Sequence, residues 1–261
     1  MNNKSLKNGN NKIDAKNAVI KIANVDKWFR LHHNYSLKDA FVNLFTHKKR
    51  DKSLFHALSN INFNINSGEA IGLVGINGSG KSTLLKCISG VIKPDKGKVS
   101  IKGRIAGLIE VGAGFHPDLT GRENIFLNGA ILGMTKEQII QKFDDIVEFS
   151  EIPQFIDSEV RFYSSGMFLR LAFAVAIHSD PDIFLIDEIL AVGDAKFREK
   201  CLNRISELSK QGKTMVIVSH AEQQIRQLCQ RAVWINKGKV QMDGPANEVL
   251  DAMNKFTGLK K

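Results

Sequence analysis

The segment Gly75-Ile76-Asn77-Gly78-Ser79-Gly80-Lys81-Ser82-Thr83 decides how this chain is read. It has the form glycine, four residues, then Gly-Lys-Ser, the pattern of a phosphate-binding P-loop. Gly75, Gly78 and Gly80 permit a tight backbone course that turns successive N–H groups onto an anion. Lys81 supplies a compact positive charge for the β- and γ-phosphates of a nucleotide, and the Ser82 hydroxyl suits Mg2+ ligation. The flanks agree with this. AIGLVG, Ala70 to Gly75, is a short apolar run that predicts a buried strand, and KSTLLKCISG from Lys81 predicts a helix opening at the loop. The competing reading is a glycine-rich turn with an accidental lysine, which would need neither flank.

Composition narrows the class. With 261 residues the chain can bury one sizeable domain, or one domain with a small appendage. Hydrophobic residues make up 43% and charged residues 25%, ordinary for a globular protein. No run approaches the roughly 18 consecutive apolar residues of a membrane-spanning helix. MNNKSLKNGNNKID is polar and rich in Asn and Lys, so it reads as no secretory signal, and residues 1–17 are expected to be a disordered tail. Cys87, Cys201 and Cys229 show no metal-ligand spacing and are expected as thiols in a reducing cytosol. The net charge of +10 suits a polyanion or the anionic cytoplasmic face of a membrane, and charge alone does not choose between them. Much of it sits in the tail, in HKKRDK (His47 to Lys52) and in the basic terminus, residues 258–261.

Taken in order, AVIKIANV (Ala18 to Val25) alternates as a half-exposed strand does, and Trp28 and Phe29 follow. Leu37, Phe41, Leu44 and Phe45 fall at helical spacing, predicting an amphipathic helix over about 36–46. Such a helix either packs on its own domain or docks on a partner. INFNINSGE (Ile61 to Glu69) reads as a second strand, KPDKGKV as a turn into another, and GRIAGLIEVG as a mainly apolar strand. From Thr120 to about Ile156 the pattern is helical, with a capping-box signature at Thr135. YSSGMFLRLAFAVAIHSDPD is a polar turn followed by a strongly apolar helix. IFLIDE, TMVIVSH and the pair around Lys237-Gly238 read as strands; KFREKCLNRISELSKQG and NEVLDAMNKF read as helices. Strands alternating with helices imply an α/β core with a parallel sheet.

In such sheets ligands gather at the carboxyl ends of the strands. Three strands end on useful groups: the P-loop, Asp187-Glu188, and His220. Asp187 suits a carboxylate that holds Mg2+. Glu188 is placed to polarise an attacking water as general base. His220 is either a hydrogen-bond partner of a γ-phosphate or an ordinary strand-end histidine.

The ordered set of P-loop, YSSGM (Tyr163 to Met167), Asp-Glu strand and later histidine resembles an ABC-type ATPase over residues 18 to 257. The resemblance implies a P-loop NTPase fold with a RecA-like core, an antiparallel β subdomain and a helical signature subdomain over about 112–180. It implies ATP and Mg2+, catalytic roles for Lys81, Glu188 and His220, and a homodimer sandwiching two nucleotides. Each P-loop would then face the other subunit's Ser164, Ser165 and Gly166, with the helix N-terminus aimed at the γ-phosphate. The family's signature is written LSGGQ; Ser164 and Gly166 match it, while Tyr163, Ser165 and Met167 depart from it. Asp194 in AVGD matches the aspartate that crosses between subunits. An aromatic ring stacks on adenine in this family, and Phe29 fits that position, with Trp28 the alternative. Where the family carries a glutamine after the strand ending near Ile109, this chain has Glu110, which fits the metal or water-positioning role if the alignment does not slip by a residue.

DEILAVGD, FYSSGM and GAGFHPDLTGRENIFLNGAILG further resemble the ATPase subunits of polysaccharide exporters. That branch moves O-antigen, capsule or teichoic-acid polymers on lipid carriers. It carries an extra amphipathic helix between the first two strands, matching Ser36 to Phe45, near the entrance of the membrane subunit. The resemblance implies a peripheral subunit on the cytoplasmic face, bound to a membrane permease and meeting lipid-linked polysaccharide only indirectly. Some members add a carbohydrate-binding domain beyond the position of Lys261, so recognition of a modified glycan end by this chain is not expected. Two alternatives stand beside this reading: an ABC ATPase driving another exported substrate, and a soluble ABC-type ATPase working on nucleic acid or ribosomes. The latter usually has two ATPase domains or a long coiled-coil insertion; neither is seen here, and no nucleic acid is expected.

Overall fold

The computed structural model describes residues 17–30, 54–107, 112–187, 193–219 and 221–258. The expected tail, the amphipathic helix over 36–46, Glu110, Glu188 and His220 lie outside the described residues. The core is a six-stranded sheet in the order β5-β6-β7-β3-β8-β9. Its strands are β3 (Ala70–Val74), β5 (Ile105–Gly107), β6 (Ile183–Ile186), β7 (Thr214–Val218), β8 (Arg231–Asn236) and β9 (Lys239–Pro245). All pairings are parallel except β8 with β9. Every residue of β3, β6 and β7 is buried, which explains why these strands read as continuous apolar runs without alternation.

A separate antiparallel sheet, in the order β2-β1-β4, is built from β1 (Ala18–Arg30), β2 (Leu54–Asn66) and β4 (Lys96–Ile101). It is joined to the core sheet through α1 (Lys81–Ile88) and a shared cluster that includes Ile20, Leu58, Ile65, Leu73, Leu84, Val216 and Ile235. On the opposite face of the core sheet lie α4 (Ser165–His178), α5 (Ala195–Lys210), α6 (Glu222–Leu228) and α7 (Ala246–Thr257).

Two further helices, α2 (Gly121–Ile131) and α3 (Lys136–Ser150), complete a helical layer with α4. Both open with full capping boxes, Thr120 with Glu123 and Thr135 with Gln138, which satisfy backbone donors reciprocally. The α4 helix is apolar all round because it serves two cores. Phe173, Ala176 and Ile177 pack toward the sheet, while Leu171, Ala174 and Val175 pack with Ile125, Ile139 and Ile146.

One expectation needs correction. The second strand begins at Leu54 rather than Ile61, because β1 runs on to Arg30 and holds Leu54 to Leu58 by long-range pairing. The two amphipathic segments read from Thr120 onward are present as α2 and α3, with Gly133 turning the chain at φ 85 between them and Thr135 capping α3 as expected. The short helix α6 had no strong pattern to announce it, since Ile225 and Leu228 are its only buried residues.

Arg231, at the start of β8, ties the two sheets together. Its guanidinium donates to Glu69 at 2.8 Å, to Asp243 at 2.6 and 2.7 Å, and to the Asn64 carbonyl at 3.0 Å. Replacing it with Ala leaves two inward carboxylates unpaired, and the unfolding free energy is expected to fall by about 3 kcal/mol. Urea titration measures this directly; a loss within roughly 0.5 kcal/mol, typical of exposed sites, would show the pair to be idle.

Candidate functional site

The P-loop leaves the buried end of β3 at Gly75 and enters α1 at Gly80, the helix N-cap. Gly75 sits at φ 150, and a Cβ there would lie 2.1 Å from the Ile235 carbonyl oxygen, so no other residue fits. Gly238, in the turn between β8 and β9, donates its N–H to the Ser79 carbonyl at 2.8 Å and accepts from Ser59 N–H at 2.7 Å. This one turn therefore braces the loop against β2. Lys81 is buried, and its Nζ donates to the carbonyls of Gly75 at 2.8 Å and Ile76 at 3.2 Å. Asn77, Gly78, Ser79, Gly80, Lys81, Ser82 and Thr83 line a cleft of about 190 Å³ together with Phe55 and Ala57.

Ser79 is only 3% exposed, and its hydroxyl lies toward Gly75 and the end of β8, at the back of the loop. The front of the cleft is left to the Lys81 ammonium, the Ser82 and Thr83 side chains and the backbone of a loop that Gly78 and Gly80 turn at positive φ. That donor set fits a nucleotide phosphate chain.

Asp187 follows β6 and is half-buried. Ile186 pairs with Ile217 and Val218 pairs with Leu73, so Asp187 falls level with the end of β3, one strand removed from it. The P-loop and Asp187 therefore share the carboxyl edge of the sheet. Glu188 and His220 adjoin that edge in sequence only.

Phe29 pairs across the ribbon with Phe55, which is 48% exposed and lines the cleft. Trp28 points to the other face, where its ring stacks on His56 with centroids 4.5 Å apart. Phe55 was missed by sequence reasoning. Its only signal was a large exposed aromatic, which becomes legible once β2 is known to start at Leu54.

A second cleft, of about 500 Å³, gathers Ser164, Ser165, Gly166, Met167, Arg170, Gly193 and Asp194. Ser164 is the N-cap of α4, its Oγ accepting from Met167 N–H at 3.2 Å. Asp194 is the N-cap of α5, its Oδ1 accepting from Phe197 N–H at 2.9 Å. That N–H, then the nearby Arg170 charge, holds the Asp194 carboxyl below the usual carboxylate range. Tyr163 donates to the Phe155 carbonyl at 2.7 Å, and burial pushes its hydroxyl up to about 12. The two clefts have no lining residue in common. Among the described residues no group of three or more His, Cys, Asp or Glu side chains forms a metal cage, and no helix is long and apolar enough to cross a membrane.

With this geometry in hand, comparison with known proteins is informative. A family model described as ABC transporter matches residues 58–191. An O-antigen export system ATP-binding protein of Myxococcus xanthus is 52% identical over 77% of this chain, which spans 46% of that protein. One of the same description from Klebsiella pneumoniae is 43% identical over 89% of this chain and 96% of its own length. A teichoic acids export ATP-binding protein of Listeria innocua is 43% identical, covering 93% of this chain and 71% of its own. Among solved structures, a dimeric ATP-binding cassette bound to ADP and Pi superposes with a TM-score of 0.69 at 25% identity, covering 87% of this chain and 98% of that one.

The brace at Gly238 can be tested by itself. A Cβ there would stand 2.6 Å from the Ala57 carbonyl at a φ of 73, so Gly238→Ala must push the turn away from both β2 and the loop. Titration with a fluorescent ATP analogue is expected to show affinity lowered by roughly tenfold, about 1.4 kcal/mol. Unchanged affinity would mean that the P-loop holds its shape without the turn.

Proposed function

The chain belongs to the ABC transporter ATP-binding family, and from that premise we propose that it is the ATP-hydrolysing subunit of an exporter moving lipid-linked polysaccharide across the cytoplasmic membrane. The observation that carries the ATP reading is the cleft of Asn77 to Thr83, entered from the end of β3 and lined by Lys81, Ser82 and Thr83. The substrate class, O-antigen, capsule or teichoic-acid type polymer, rests on the names of relatives that are alike over most of this chain. The subunit is peripheral on the cytoplasmic face, carried by a membrane permease.

The working unit is a homodimer. The separation of the P-loop cleft from the Ser164–Asp194 cleft supports this, as does the dimeric cassette among the structural relatives. Ser164, Ser165 and Gly166 of one copy close over the γ-phosphate held by the other copy's loop. The open N–H groups at the start of α4 meet the phosphate charge there. Phe29 and Phe55 form the platform for adenine, where stacking on one ring is worth about 1–3 kcal/mol.

Ser82, Asp187 and Glu110 would hold Mg2+, which when bound neutralises charge on the β- and γ-phosphates. Lys81 swings from the loop carbonyls to the same oxygens. Glu188 accepts a proton from the attacking water as the water oxygen bonds to the γ-phosphorus. The bond from that phosphorus to the bridging oxygen breaks, and ADP leaves with the electron pair. His220 hydrogen-bonds the γ-phosphate and orients it.

Three experiments test this. Glu188→Gln keeps the shape but removes the base, so it is expected to trap an ATP-bound dimer in gel filtration while abolishing turnover; normal steady-state hydrolysis would refute the assignment. In the native cell, deletion of the gene is expected to build up carrier-linked polymer inside and deplete it at the surface. An unchanged distribution would leave the ATPase standing and remove the polysaccharide. For the base platform, Phe55→Ala should weaken ATP binding by about tenfold without altering the affinity for inorganic triphosphate. Equal losses for both ligands would place Phe55 beside the phosphates.

A further inference from the structure

Phe29 and Phe55 sit at the free end of a two-stranded ribbon, and such a ribbon is barely stable by itself. The last residue pair between β1 and β4 joins Asp26 to Lys96, so beyond it β1 has only β2 as a strand partner. The ladder stops there because the chain ahead of β4 comes from Pro94, which has no N–H to donate. A side chain takes over where the strand ends. The Asp95 N–H donates to the Asp26 carbonyl at 2.9 Å, and Asp95 Oδ2 accepts from the Trp28 N–H at 2.7 Å. Asp95 Oδ1 takes the Lys27 ammonium at 3.2 Å, and that ammonium also donates to the Lys93 carbonyl at 3.0 Å. Lys27 Nζ lies 5.7 Å from the centre of the Phe29 ring. The Trp28 N–H, and with it the Lys27 ammonium, hold the Asp95 carboxyl below the usual carboxylate range.

We propose that Asp95 is a positioning residue for the nucleotide base, holding the Phe29–Phe55 platform at a fixed place relative to the P-loop. The inference deepens the ATP reading above and rests on it. One helix connects the two places. α1 starts at the P-loop, and its far end leads through the short turn of residues 89–94 to Asp95. That turn is itself held, since the Ile92 N–H donates to the Lys86 carbonyl at 3.1 Å and the Ile92 side chain packs on the cluster that contains Leu84. As an exposed ion pair with Lys27 alone, Asp95 would count for little. Its bond to the Trp28 N–H is different, because it extends the β4 ladder to the residue next to Phe29. Without the carboxylate, Trp28 to Arg30 keep only Leu54 to His56 as strand partners. A ring on a frayed strand end must be ordered when a base stacks on it, and that ordering subtracts from affinity. The phosphates are held by the loop backbone and Lys81, which do not depend on the ribbon tip. Loss of Asp95 therefore weakens recognition of the base and spares that of the phosphates.

The test titrates the purified full-length chain with ATP and, separately, with inorganic triphosphate by isothermal calorimetry, and records thermal midpoints. The variants are Asp95→Ala and Asp95→Asn, each made both in the wild-type chain and in one carrying Phe29→Ala with Phe55→Ala. Asp95→Ala is expected to weaken ATP binding by roughly fivefold and triphosphate binding by less than about twofold. Asp95→Asn should fall in between, since its amide oxygen still accepts from the Trp28 N–H but no longer attracts Lys27. In the chain without the two rings, Asp95→Ala should change neither affinity, because nothing is left to position. Unchanged ATP affinity in Asp95→Ala, equal losses for the two ligands, or the same ATP loss without the rings would each overturn the proposal. A lower thermal midpoint with an unaltered ratio of the two affinities would do so too, leaving Asp95 a purely structural role. If Asp95→Ala does not fold, Asp95→Asn carries the same comparisons. A chain whose ATP affinity survives loss of both rings would instead overturn the base platform, and a wild-type chain that binds neither ligand would overturn the ATP reading; either takes this inference with it.

Discussion

The nucleotide cleft depends on one backbone clearance. The chain can leave β3 and turn back into α1 only because nothing projects from position 75 toward the Ile235 carbonyl of the neighbouring strand. The loop is then pinned from behind, where the turn at Lys237-Gly238 bonds both the Ser79 carbonyl and the Ser59 amide. The P-loop and β2, near neighbours in sequence, therefore share one small junction with the distant β8–β9 hairpin. Backbone N–H groups aimed at an anion are useful only if they do not relax when the anion leaves, and this junction supplies that rigidity.

Around that junction the α4 helix divides the labour. Its apolar side chains face two separate cores, so it cannot rotate about its axis without exposing one of them. Its first turn lines the second cleft with Ser164, Ser165 and Gly166, while Met167 packs back on the helical cluster. A helix held on two sides and open at its N-terminus moves as a unit.

The sequence made the apolar strands and the loop legible because both are local signals. Five buried residues in a row before Gly75, or four before Asp187, need no knowledge of partners to be read. The start of β2 was illegible for the opposite reason. Leu54 to Leu58 form a strand only through pairing with Trp28 to Arg30, and their side chains alternate too weakly to announce it. Phe55 was lost with that strand. Asp95 was invisible too, since an aspartate in a charged turn says nothing of the backbone N–H at position 28. The capping box at Thr135 was readable from its side chains, and the equivalent at Thr120 is the same chemistry with Glu in place of Gln.

The departures of YSSGM from the family's LSGGQ become intelligible in the same terms. Tyr163 occupies a half-buried position over the helical layer, where its hydroxyl bonds the Phe155 carbonyl and lies against Gly121. A leucine would fill the same apolar space but leave that carbonyl to find another donor. Met167 is likewise turned into the helical cluster, where an unbranched side chain fills an irregular gap. Tyr163 therefore falls on the side of the turn that packs, while Met167 packs on the helical cluster and borders the second cleft. The side that faces the cleft keeps Ser164 as N-cap and Gly166 within the first helical turn, and adds one exposed hydroxyl at Ser165. Anion recognition at a helix start relies on backbone N–H groups and small side chains that let a phosphate approach. The altered residues leave the N-cap at Ser164 and the backbone N–H groups that follow it in place, so the turn varies in sequence while the start of α4 keeps its geometry.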